Sequence, residues 1–549
     1  MSKTKLTIIL GVSLSAASAW ATTAITPANF GSAVVNTGTG LYNIVEDITL
    51  GTSGTVADTE YVLEGFTFVM PGVTLTIEPG VIVRGQPAPL VTDFPGSLCV
   101  TRGGEIYAVG SATNPIIFTT ANVGTVEFPV RWTGTDSWVD AAPKTAPLPP
   151  LVGSAAAVNQ WGAVTLLGYA PTNVGIDPDA GPGIAGLAYI EGYGLTDDRV
   201  TYGGRNTNDS SGSLKYVSIR HSGRSLDEGD EQQGLTLGGV GYGTELEYID
   251  IYCSGDDGIE IFGGTAGVKY FMLSYFNDDG LDVDQGWTGF AQFGFIMAGS
   301  IQNSDIQADS CGEWDGQDAG NTISGSPFSS PTLYNITMFG PGNASQTGLG
   351  DNGFMRIKEG FGGSLYNSIV FDGPTSKPGL SIAGGGVNDI SVTLGYPSPD
   401  SQLQVAAGTL NLAGVLFVDV AEDSVATIGL QSVAQTVVGA SGSTPPVGAP
   451  GSFGNRIGSS GGSNDPLFGL ISGAGANAQT TQNGVNPVPL TSASSGSGAT
   501  VVPYTSTFFT EGNFIGAFPE NASATLFTTS WTAMNVRGIL VDNGNGDNL

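Results

Sequence analysis

Positive charge, histidine, cysteine and long apolar runs are all scarce in this sequence of 549 residues. Lysine and arginine number 17 against 49 acidic residues, a formal charge of −32. Such a surface repels polyanions, which excludes nucleic acid and anionic membrane as partners and favours divalent cations. One histidine, His221, and three cysteines leave no zinc-ligand spacing, and neither a phosphate loop nor a nucleophile elbow is present. The odd count of Cys99, Cys253 and Cys311 excludes a fully paired disulfide framework. The three are expected to be small buried apolar residues, with a Cys253–Cys311 bridge as the alternative. Past the N-terminus no stretch stays apolar for about 18 residues, so no transmembrane segment is expected. No window carries a sustained 3.6-residue apolar period between helix caps, which argues against helical repeats.

What is abundant is glycine, 85 residues, arranged in a repeat. "LKYVSIRHSG" begins at Leu214, "LEYIDIYCSG" at Leu246, "VKYFMLSYFN" at Val268, "AQFGFIMAGS" at Ala291, "LYNITMFGPG" at Leu333 and "LYNSIVFDGP" at Leu365. The steps are 32, 22, 23, 42 and 32 residues. Each segment alternates apolar and polar residues as a strand does, and a turn rich in Gly, Asn or Asp follows. A unit of 22 residues holding several short strands suits one turn of a parallel β-helix, the longer steps being the same unit with inserted loops. A solenoid also explains the length, because each turn touches only its neighbours.

The predicted organisation has five parts. Residues 1–21 read as a signal peptide: Lys3 and Lys5, an apolar run, and the small residues of Ala19-Trp20-Ala21 before cleavage. The mature chain is therefore expected outside the cell, at its surface or in the periplasm. Residues 22–60 form an N-terminal cap over the first open edge. Residues 61–435 are the all-β solenoid with long inserted loops. Residues 436–500 are a Gly/Ser/Pro-rich covering, and 501–549 close the C-terminal end.

The repeat predicts a register. Asp256 and Asp257 lie ten and eleven residues after Leu246, and Asp278 and Asp279 lie ten and eleven after Val268. Each aspartate should sit over its counterpart, about 4.8 Å away. The triplets "EIF" (Glu260–Phe262), "DVD" (Asp282–Asp284), "EWD" (Glu313–Asp315) and "RIK" (Arg356–Lys358) extend the alignment. The middle column, Ile261, Val283, Trp314 and Ile357, is apolar and should point inward. The first column, Thr236, Glu260, Asp282, Glu313 and Arg356, and the third, Phe262, Asp284, Asp315 and Lys358, should point outward. One outer face then carries a ladder of carboxylates ending in two cations. Two like charges at that spacing repel by about 3.5 kcal/mol at an effective dielectric near 20. Ca²⁺, the two cations, raised pKa values or a ligand would offset it. Candidate metal ligands are Asp256, Asp257, Glu260, Asp278, Asp279, Asp282, Asp284 and Asp315. A turn-forming role is the alternative for Asp256, Asp257, Asp278 and Asp279. The insert "SLDEGDEQQ" brings Asp227, Glu228, Asp230 and Glu231 to one end of the face.

These motifs resemble the pectin-lyase-like superfamily of right-handed parallel β-helices. "GLTLGGVGYGTELEYIDIYCSGDDGIEIFGG" and "NDDGLDVDQGWTGFAQF" are similar, more narrowly, to an exported bacterial β-helix family. The resemblance implies a fold over most of residues 60–430. It implies activity less directly, since members include lyases, glycoside hydrolases and adhesins. Arg356-Ile357-Lys358 matches the last element of polygalacturonases, and either Asp-Asp pair could match their acidic pair. Their Gly-His-Gly element is missing, and the one histidine, His221, precedes both pairs; at the end of a strand it is expected to be a solvent-facing or turn residue. Were the chain an enzyme, Asp282, Glu313, Arg356 and Lys358 would be its catalytic candidates, as acids, base or charge partners. The leading expectation is a non-enzymatic exported protein presenting an acidic, calcium-binding face to polysaccharide or a cell-surface component. The alternative is a calcium-dependent polysaccharide lyase or hydrolase on the same face.

Overall fold

The computed structural model describes residues 22–87, 94–121, 130–132, 138–140, 158–175, 181–227, 230–298, 308–317, 326–340, 354–371 and 380–382. Beyond these it describes 401, 404, 408–418, 452–453, 456–458, 487–488, 501–519, 526–536 and 540. Residues 1–21 and most of 436–500 therefore lie outside the described residues.

One 22-residue turn shows how the sequence builds the solenoid. Glu245–Tyr252 runs as a strand bent at Tyr248, Ile259–Phe262 forms a second strand, and Gly267 opens the next turn. Each turn pairs in parallel with the one above: Leu246 with Val268, Ile249 with Phe271, Glu260 with Asp282. Repetition gives a 19-stranded sheet built from the bent strands and an 11-stranded sheet built from the short ones. The parallel β-helix expected from the repeat is the observed fold. Inside it, Leu237, Ile261, Val283, Trp314 and Ile357 stack as one fully buried column. Burying an aliphatic side chain in this way contributes about 1.5–3 kcal/mol per residue, and every turn supplies several.

The bend in the long strands is a column of left-handed residues. Tyr216, Tyr248, Tyr270, Phe293, Asn335 and Asn367 all have φ between 50° and 58°. This conformation is unfavourable for a bulky residue, by roughly 1–3 kcal/mol each. Stacking offsets it. The rings of Tyr216, Tyr248, Tyr270 and Phe293 lie face to face at 4.2, 4.6 and 5.1 Å, because the rise per turn is close to a stacking distance. A second left-handed column contains His221, Cys253 and Tyr275. His221 is thus a turn residue, but a buried one, not the solvent-facing residue its position suggested.

At the N-terminal end, Val34–Gly38 pairs antiparallel with Leu41–Ile44, and Leu41–Ile44 pairs in parallel with Phe66–Val69. The hairpin ends the ladder with an antiparallel strand. Residues 41–51, assigned to the cap by the sequence, already run in the solenoid sheets.

The C-terminal segment departs from expectation. Its described residues do not close the solenoid end; they run along its side, over the left-handed corner. Asn367 exchanges two hydrogen bonds with the Val502 backbone, and Asn335 Nδ2 donates to the Phe514 carbonyl. Phe514 stacks on Phe293, Trp531 meets Tyr216 edge-on, and the Ala533 N–H donates to Asp250. The reason is physical: the corner presents unmet amides and ring edges along the side, and an aromatic-rich tail satisfies them. No helix among the described residues is long and apolar enough to cross a membrane.

Candidate functional site

The acidic strip stands on the outward side of the 11-stranded sheet. Its first column runs in unbroken register through Phe68, Cys99, Thr165, Thr236, Glu260, Asp282, Glu313 and Arg356. Asp315 pairs with Lys358 and Phe262 with Asp284, as the triplets predict. One column thus passes from apolar through hydroxyl and acidic residues to a cation.

The predicted solvent face is, however, largely covered. Glu260 is only 7% exposed, and Asp257, Asp279, Asp315 and Arg356 are also buried. Asp282, Asp284, Glu313 and Lys358 are partly buried, and Asp278 alone of the predicted ligands is exposed. The cover comes from insertions. Ala188–Tyr189 and Thr201–Tyr202 form a small antiparallel pair whose residues pack with Val174, Tyr193 and Phe262 over the sheet. Glu191, from the same insertion, meets Glu260 and accepts a hydrogen bond from Gln233 Nε2 at 2.8 Å. Gln233 Oε1 in turn accepts the Asp257 N–H. Period-2 alternation fixes which residues leave the core; it is blind to what later folds over them.

The strip divides electrostatically. At its C-terminal end, Arg356 Nη1 lies 2.9 Å from Glu313 Oε2, and Lys358 Nζ bridges Glu313 Oε1 and Asp315 Oδ2. Burial works to lower the Lys358 ammonium, but Asp315 and Glu313 outweigh it and hold its pKa above the ordinary lysine value. A lysine so held keeps its proton, which suits charge neutralisation and opposes proton abstraction.

Among the described residues, the N-terminal end has no such ion pair. Asp256, Asp257 and Asp278 bring carboxylate oxygens within 4.8 Å of one another, and so do Asp257, Glu260 and Asp282. Burial first, and then mutual repulsion, pushes the carboxyls of Asp257, Glu260, Asp279 and Asp282 well above the usual range. Asp256 and Glu191 are pushed to about 8 for the same reasons. Asp278, exposed as a residue but with its carboxylate drawn into this cluster, rises to about 6, through burial of that group and then Asp309, Glu313 and Glu231, with Lys358 opposing. Among the described residues, Glu260 Oε2, Asp279 Oδ1 and Asp282 Oδ1 are buried without a hydrogen-bond partner. A buried acceptor left unmet costs about 1–3 kcal/mol, more when charged.

Every predicted site residue lies in this one strip. Glu191, Gln233 and Asp309 belong with them but were not singled out, because each sits in an insertion where no repeat marks it. The three cysteines are free and buried, and Cys253 and Cys311 are not bridged. Some turn chemistry is present as well: Asp257 Oδ1 accepts the Asp279 N–H at 2.8 Å, tying one turn to the next.

Stacked parallel turns define a solenoid of the β-helix class, here carrying a clustered strip of carboxylates. The family model described as "Pectate-lyase like beta helix domain" matches residues 43–134 and 145–445, and the chain belongs to that family. No curated protein matches it. The solved Dettilon tailspike protein aligns with 11% identity and a TM-score of 0.16, over 77% of this chain and 61% of its own. The chain therefore spans about three fifths of that protein's length.

Proposed function

We propose that this chain is an exported β-helix that interacts with polysaccharide and holds Ca²⁺ in the N-terminal half of its acidic strip. One observation carries the metal reading. Asp257, Glu260 and Asp282 converge within 4.8 Å, and Glu260 Oε2 is buried there with no partner. Three clustered carboxylates with no ion pair among the described residues are stabilised by protons or by a metal. Oxygen-only donors fit a hard cation, and Ca²⁺ takes six to eight of them, so backbone oxygens or water would complete the set. Calcium would supply positive charge to the strip and a coordination point for an oxygen ligand beside the exposed Asp278. Family membership supports the polysaccharide reading, and the leader-like residues 1–21 support export.

Calcium titration followed by calorimetry and by Tb³⁺ luminescence tests this reading. Binding should be tight in the native protein and at least tenfold weaker in Glu260→Gln. Equal binding by the two would sink it.

A lyase or hydrolase on the same strip is the second reading, favoured by the reach of Asp278 to solvent next to the buried carboxylates. Incubation with polygalacturonate, alginate and neutral glycans, with and without Ca²⁺, separates the two. Unsaturated product or new reducing ends that vanish in Asp282→Ala and Arg356→Ala would establish catalysis. Calcium-dependent stabilisation without turnover would favour binding alone.

A further inference from the structure

A second feature lies on a different edge of the solenoid, in the turns that lead from the short strands into the bent ones. Tyr169 follows the strand Val164–Leu167, and Tyr242 follows the strand Leu235–Gly238 in the next turn. Both are exposed, at 38% and 56%. Residues 203–209 are laid between them: the Asn206 N–H donates to the Tyr169 carbonyl, and the Tyr242 N–H donates to the Thr207 carbonyl. That loop carries the exposed Arg205. Arg102, from the preceding turn, lies 4.9 Å over the Tyr169 ring and donates from Nη1 to the Gly203 carbonyl.

The patch is unusual for this chain. With 17 cations against 49 acids, five described cations are held in ion pairs: Arg84 to Glu60, Arg199 to Asp197, Lys215 to Glu245 and Glu247, Arg356 and Lys358 to the strip. Neither Arg102 nor Arg205 is in an ion pair among the described residues. The buried Asp209 beneath them accepts the Tyr169 N–H and is also felt by Arg102, which it balances in part, so Arg205 is the cation most open to a ligand. Two arginines and two tyrosines thus share an open edge of an otherwise acidic molecule.

We propose that this patch is a calcium-independent binding site for an acidic polysaccharide, separate from the carboxylate strip. Tyrosine presents an apolar face that suits the apolar face of a sugar ring, with a polar tip for its hydroxyls. Guanidinium recognises a carboxylate through paired hydrogen bonds. The tyrosines belong to successive turns, with residues 203–209 between them, so a sugar chain bound by both would run along the solenoid axis across that loop. The inference rests on the polysaccharide reading for its ligand class and not on the metal.

Affinity electrophoresis and calorimetry with polygalacturonate, chondroitin sulfate and dextran, in EDTA and again in Ca²⁺, test it. Native protein should bind one or both acidic polymers but not dextran, and the two acidic arms tell carboxylate from sulfate. Arg205→Ala and Tyr242→Ala should each weaken binding at least fivefold with an unchanged melting temperature, because both side chains are exposed. Undiminished binding by the double variant would overturn the site. So would acidic-polymer binding that appears only with Ca²⁺, a result that would leave the metal reading standing. Loss of Ca²⁺ affinity in Glu260→Gln is read separately and does not bear on this patch.

Discussion

At the residue scale the chemistry follows from where a carboxylate is held. Glu260 is a surface-type residue by composition and a buried one by position, with a raised carboxyl and an unmet oxygen. Glutamine has nearly the same shape and no charge to bury. Glu260→Gln is therefore expected to raise the melting temperature of calcium-free protein at pH 8 while weakening calcium; scanning calorimetry with and without the ion checks both signs. The thiols give a simpler case. Cys99, Cys253 and Cys311 are buried and free, and burial pushes the Cys99 and Cys311 thiols up. Native protein should not react with a thiol reagent over hours, and denatured protein should give three equivalents.

At the scale of elements, two polar features tie the turns together alongside the apolar core. The Glu313–Arg356–Lys358–Asp315 group closes one end of the strip. Removing one partner of a buried ion pair typically costs about 3–5 kcal/mol, so Lys358→Met should lower the unfolding free energy obtained from urea melts by that much at pH 7.5. Much of the loss should return at pH 5, where a carboxyl freed of the ammonium can take up a proton. No loss at pH 7.5 would mean that the pair is idle. The other feature is the left-handed corner that seats the C-terminal segment. Asn367 combines a tolerated left-handed backbone with two hydrogen bonds to Val502. Asn367→Ala removes both and should destabilise by roughly 2–3 kcal/mol. Asn367→Gly restores only the backbone freedom, so an intermediate melting temperature is expected. Limited proteolysis near residue 502 should quicken in both.

At the scale of the molecule, the raised carboxyls set a pH dependence. Their folded pKa values, about 8 for Asp256 and Glu191, lie above the unfolded values near 4. Between these limits the folded chain keeps protons that the unfolded chain has lost. Stability is full below the unfolded value and falls as pH rises toward 8, by up to about 1.4 kcal/mol per pH unit for each retained proton. On the proposed reading calcium would replace those protons, so its stabilisation should be small at pH 5 and large at pH 8. Melting curves at both pH values, in EDTA and in calcium, would reveal it; a calcium effect equal at the two would count against shared sites.

The solenoid and its register were legible from the sequence because both are local. A period of two sends Ile261 inward and Glu260 outward, and equal turn lengths place Asp282 over Glu260 without any further information. Even across insertions, an apolar residue between two charged ones aligned Glu313 and Arg356, because the core admits only one phase. Only the tertiary structure decided that the strip is covered, that Glu191 joins it, and that the tail lies along the side. Each of these depends on segments far apart in the chain meeting over a finished sheet. No alternation or spacing in either segment encodes that meeting, because what selects it is the unmet hydrogen bonds and apolar surface that exist only once the turns have stacked.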